Sequence, residues 1–221
     1  MDDKPQDACL RYYGISPWEI EVIYNILNEK FEVIQEETGQ DEYAEKSSVF
    51  GFTSIGDRNN EFVSALTITI SLPFSEEFFK WFGFKAWEKV KSIIKEMKRR
   101  RGNRKAILVE ILFQNEEWNE KITEPGESPI LSDKDERLPD YPHVKFVIDS
   151  SENHIFNSAI EKIDVMVELL PYHLNHSKMK KFCKKPMVVR YYYDIQSGKW
   201  YVEHVLSFGG GRGFTIDSLR D

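Results

Sequence analysis

The sequence predicts an α+β domain with helices on one face of a mixed sheet, in a ferredoxin-like βαβ–βαβ layout extended by an N-terminal helix and a C-terminal hairpin. Three observations predict it. Residues 62 to 72 alternate, with Phe62, Leu66, Ile68, Ile70 and Leu72 on one side and Thr67, Thr69 and Ser71 on the other, the period of a strand buried on one face. Residues 74 to 101 and 150 to 170 carry apolar residues at helical spacing, so each forms a helix with one core-facing stripe. Each of these helices leads into a further strand-like run, Ala106 to Phe113 and Val188 to Ile195.

In chain order, residues 1 to 14 read as a flexible arm. Ser16, Pro17 and Glu19 then make a helix start, with a capping residue, a proline at the first helical position and a capping-box carboxylate. Ile20, Ile23, Leu27, Phe31 and Ile34 continue one stripe toward Gly39, so the helix is expected to run that far. Ser47 to Ile55 is a candidate strand before the turn-rich 56 to 60. After the strand at 62 to 72, Ser75 caps a long helix that stops at Gly102. Ala106 to Phe113 is apolar on both faces and reads as a central strand. Residues 115 to 142 are acidic and broken by four prolines, an irregular connection. Val144 to Ile148 is a short strand, and Ser150 to Glu152 open the second long helix, which Pro171 closes or kinks. The hairpin Val188 to Ile195 and Trp200 to Phe208 turns at Gln196-Ser197-Gly198. Residues 15 to 208 therefore form one domain with pseudo-halves at about 61 to 118 and 143 to 208, followed by a Gly-rich tail at 209 to 221.

A chain of 221 residues with 41% hydrophobic and 30% charged residues is long enough and apolar enough to fold around its own core. Two cysteines supply no disulfide framework and suit the cytoplasm. The N-terminus lacks a basic start followed by an apolar run, and the segment 62 to 74 is interrupted by hydroxyl residues, so neither a signal peptide nor a membrane span is expected. The net charge of −7 disfavours a general nucleic-acid binder. The basic run Lys95 to Lys105 sits where a helix C-terminus favours cations anyway.

Five places hold candidate chemistry. On the long helix, Trp81 and Phe84 fall among Glu77, Lys85, Glu88 and Arg99 on the polar side; large aromatics there suit a protein partner or a second copy of the chain. On the open sheet face, Arg190, Tyr192 and Asp194 share one side of a strand, with Glu110 and Lys145 as neighbours; such a cluster is either ion-paired or able to hold a polar ligand or anion. Asp149 and Ser151, at a strand end that opens a helix, are oxygen donors suited to a divalent metal and are also ordinary capping residues. His173, His176 and Cys183 have atoms suited to zinc but lack a fourth ligand at a convincing spacing. The glycine-rich 209 to 213 lacks the Lys-Ser/Thr of a phosphate loop. No complete nucleophile or metalloprotease motif occurs. The leading expectation is a non-catalytic cytoplasmic interaction protein using the Trp81/Phe84 surface. The alternative is a metal-dependent enzyme acting on a phosphate-containing or nucleic-acid substrate, with Asp149 and Glu110 or Asp194 as ligands and Arg190 as the anion contact.

Overall fold

A computed structural model describes residues 7–43, 62–71, 85–103, 106–115, 141–176, 179 and 186–207. Its strands are β1 (Asp7–Tyr13), β2 (Glu32–Glu37), β3 (Ala65–Ser71), β4 (Leu108–Gln114), β5 (His143–Ile148), β6 (Pro186–Asp194) and β7 (Lys199–Ser207). The long helices are α1 (Pro17–Leu27), α2 (Lys85–Arg101), α3 (Asn153–Glu161) and α4 (Ile163–Leu174). The strands form one sheet of seven in the order β2-β1-β3-β4-β5-β6-β7. The pairs β1/β2, β3/β4 and β5/β6 are parallel, and the junctions β1/β3, β4/β5 and β6/β7 are antiparallel.

The mixed sheet with helices on one face agrees with the sequence; the ferredoxin-like layout does not hold as drawn. Seven strands exceed that fold's four. The two strands of each βαβ unit are also immediate neighbours here, whereas in the split βαβ arrangement another strand separates them. A third unit, β1-α1-β2, occupies the place of the expected arm and helix. Residues 7 to 13 are therefore not an arm: Leu10 is fully buried, and the strand lies between β2 and β3. Nor does the first helix reach Gly39. It ends at Leu27, where Lys30 and Phe31 donate back to the Leu27 carbonyl, and residues 32 to 37 pair with β1. The second long helix is likewise two, α3 and α4, parted at Lys162, with Pro171 inside α4.

All the long helices pack on one face. Leu10, Ile68, Ile111, Phe146 and Tyr191 stand in register across five strands of that face. Ile20 and Ile23 of α1, Trp87 and Ile94 of α2, Phe156 of α3 and Val167 of α4 close over them in one core. Topology then fixes a relation of hand. β3 and β5 point in opposite directions, the chain steps the same way across the sheet from β3 to β4 and from β5 to β6, and both crossovers use the same face. The second and third crossovers consequently have opposite hands, so one of them departs from the right-handed rule.

Candidate functional site

The helix-free face of the sheet carries the polar residues the sequence singles out. Cross-strand register places Arg11, Thr67 and Glu110 in one row, and Cys9, Thr69, Leu112, Lys145, Arg190 and His204 in the next. This face is not a solvated one. Thr67, Glu110, Lys145 and Arg190 are all buried. A buried charge is tolerated when it is paired, and each is. Lys145 Nζ lies 2.8 Å from Glu110 Oε1. The other Glu110 oxygen accepts from Thr67 Oγ1 at 3.1 Å, and Thr67 Oγ1 is 2.5 Å from the Tyr43 hydroxyl. Arg190 Nε lies 2.7 Å from Glu203 Oε2, and Arg11 Nε donates to Glu36 at 2.7 Å.

Burial and charge shape the protonation of this row. Burial pushes the Lys145 ammonium down, Glu110 opposes that, and Arg190 adds to it. Burial raises the Tyr43 phenol well above its usual range, and the Glu110 carboxylate raises it further. His204, opposite Arg190 on β7, is lowered first by burial and then by Arg190. His143 is lowered to about 4 by burial. Its Nδ1 accepts the Asn115 backbone N–H at 3.1 Å, so its proton resides on Nε2.

Tyr192 flanks this row on β6, in register with Val147 and Tyr201. Asp194 does not join it. Its carboxylate accepts from the Ser197 hydroxyl at 2.7 Å and from the backbone N–H groups of Gln196 and Ser197, closing the β6–β7 turn that Gly198 completes at φ 63°.

Asp149 and Ser151 stand elsewhere, at the carboxyl end of β5. A cavity of about 220 Å³ opens there over a floor of Val147, Ile148, Ile155 and Ala159, between the 149 to 152 loop and Tyr193. Neither serine caps α3: the N-cap is Glu152, without a side-chain bond, and Ser150 Oγ accepts the Glu152 N–H at 3.2 Å. The loop is held from behind by Lys98, fully buried, which donates to the Ser151 carbonyl at 2.8 Å. Among the described residues no three His, Cys, Asp or Glu side chains gather as a metal-ion group. His173 Nδ1 lies 2.9 Å from the Tyr191 hydroxyl, and Cys183 lies outside the described residues.

The basic end of α2 is largely answered inside the fold. Lys91 meets Asp164 and Glu88, and Lys95 meets Glu161. Arg101 holds Glu19 at 2.9 Å, and Arg99 and Arg100 share Glu96. Arg100 also lies over the Trp18 ring at 4.6 Å. Trp81 and Phe84 lie outside the described residues.

One surface escaped the sequence reading. On α4, Ile163, Met166, Val167, Leu170 and Leu174 are buried, while Val165, Leu169 and Tyr172 are 57%, 48% and 76% exposed. The signal was present as a second apolar stripe at i, i+4 and i+7. It was hidden because the segment was read as one helix with a single core face. No described helix is long and apolar enough to cross a membrane. No protein-family model, no curated protein and no solved structure matches this chain.

Proposed function

We propose that this chain is a binding protein without chemistry of its own, which engages a protein partner, or a second copy of itself, through the outer side of its helix layer. The observation that carries the reading is the Val165, Leu169 and Tyr172 strip. A helix that buries one apolar stripe in its own core and leaves another in water is suited to a second packing partner. The expected Trp81/Phe84 surface remains part of the proposal. The two cysteines without a disulfide framework suit work in the cytoplasm. The enzyme alternative draws less support, because Glu110, Arg190 and Asp194 are each engaged by neighbours.

A photo-crosslinking residue in place of Tyr172, activated in cells, tests it. The expected result is one or a few adducts of discrete mass, each lost when Leu169→Asp is added. An adduct of twice the chain mass identifies self-association, and another discrete mass identifies a different partner. Absence of a discrete adduct, or adducts indifferent to Leu169→Asp, removes the reading.

A further inference from the structure

β5 and β6 run parallel and end on the same side of the sheet. The crevice outside the carboxyl ends of such strands is where open α/β sheets take small ligands. The 220 Å³ cavity lies in that crevice, between the end of β5, α3 and Tyr193 of β6. Its volume is below the roughly 300 Å³ at which drug-sized sites begin, so its occupant is small. Its floor of Val147, Ile148, Ile155 and Ala159 is hydrocarbon, and Ile195, 61% exposed, extends that apolar surface outward.

The charge around the cavity is of one sign. Asp149 and Glu152 line it, and no lysine, arginine or histidine stands among the described residues that do. Lys98, behind the loop, gives its ammonium to the Ser151 and Gly102 carbonyls. The positive end of α3 is a poor seat for an anion. The Glu152 N–H goes to Ser150 Oγ at 3.2 Å and the Asn153 N–H to Asn103 Oδ1 at 3.3 Å, and the Glu152 carboxylate stands at the same end. A hard metal ion, which takes about six to eight oxygen ligands, would meet hydrocarbon on the floor side. Carbon below and carboxylate above suit an organic cation with a short apolar body. The Tyr193 ring is an electron-rich wall of the kind cations favour, and the Lys162 ammonium already lies over it at 5.7 Å.

We propose that this cavity binds a primary alkylammonium, its chain on the apolar floor and its charge held at the rim by the Glu152 carboxylate and the Ser151 hydroxyl. Glu152 has its side chain 57% exposed, so it meets an incoming cation without first being dehydrated. Asp149 adds negative charge to the cavity wall rather than a required contact. The same chemical group arrives on a free small amine or at the end of a peptide's lysine side chain. The site shares no residue with the Val165, Leu169 and Tyr172 strip, so it stands or falls independently of the partner reading.

Methyl NMR of the full chain, titrated with n-pentylammonium chloride at ionic strength held constant with sodium chloride, tests it. The expected result is a saturable shift of the Ile155 and Ala159 methyl resonances. n-Pentanol, which keeps the chain and loses the charge, should saturate them only at higher concentration, and pentanoate should not saturate them. In Glu152→Gln, pentylammonium is expected to bind about three- to tenfold more weakly, the scale of one charge-assisted hydrogen bond at a partly exposed rim. The three probes on the unaltered protein keep the test independent of how the variant folds. Nα-acetyl-lysine N-methylamide separates the two sources: binding at least as tight as that of pentylammonium supports a peptide lysine, and weaker binding supports a free amine. Methyl resonances that stay unmoved, pentanol or pentanoate binding as tightly as pentylammonium, or undiminished binding by Glu152→Gln overturns the proposal. Magnesium chloride that displaces pentylammonium from these methyls also overturns it, in favour of a metal site.

Discussion

A carboxylate in the middle of an apolar strand is expensive until something answers it, and Lys145 answers Glu110 from β5. Removing one member strands the other, so Lys145→Met is expected to destabilise the fold by about 3–5 kcal/mol. Lys145→Met/Glu110→Leu should recover most of that loss, measured by urea denaturation of all three chains. His143 gives a pH prediction. Its folded pKa is about 4 against an ordinary 6.5, so the unfolded chain binds the proton more readily. The stabilisation from keeping this ring neutral is complete above pH 6.5 and is lost as the pH falls toward 4, a loss of a few kcal/mol at about 1.4 kcal/mol per unit. In His143→Gln the slope of stability against pH across that window should flatten; an unchanged slope would refute the assignment. Glu110 was legible as an anomaly from its neighbours alone. Lys145 was named beside it, but the pairing itself was not fixed, because Lys145 sits diagonally, two positions from the residue that Glu110 faces on β5, and such a pairing is visible only once strand order and register are known.

At the scale of an element, the instructive case is the stretch from Ser16 to Glu37. Ile20, Ile23, Leu27, Phe31 and Ile34 keep helical spacing throughout, yet the helix stops at Leu27. Phe31 is buried while Ile34 is 56% exposed, so the stripe past Leu27 is a coincidence of spacing that strand pairing with β1 overrides. The long helix α2 was readable to its end, since Gly102 stops it at φ 77°. Two glycines with positive φ should respond differently to alanine. At Gly102 a Cβ meets open space, so the cost should be near the 1–2 kcal/mol of the left-handed conformation alone. At Gly14, φ 62°, the Cβ would come within 2.5 Å of the Val63 carbonyl oxygen, so Gly14→Ala should cost more than Gly102→Ala in the same denaturation assay. On α4, adjacent residues separate structure from surface. Leu170→Ala should lose about 2–5 kcal/mol, while Leu169→Asp should change stability by less than about 1 kcal/mol, as read by thermal unfolding.

For the whole molecule, the largest surprise is the position of β1. Residues 1 to 14 read as a flexible arm in the sequence, but short strands flanked on both sides need few residues to be central. Deleting them is expected to abolish cooperative unfolding rather than trim an arm, checked by urea denaturation of the truncated chain. The layer arrangement was legible, because it follows from which stripes are apolar. The opposite hands of the second and third crossovers were not, because spacing reveals where an element begins and ends but not the side to which its connection turns. Placing β1 between β2 and β3 also orders events during synthesis. β1 and β2 are made before β3, so until β3 docks the inner edge of β1 offers unpaired backbone groups to whatever comes next. That edge stays open until residue 71 has emerged and β3 can dock, an interval in which the nascent chain is most exposed to pairing with a neighbour's edge and most in need of a chaperone.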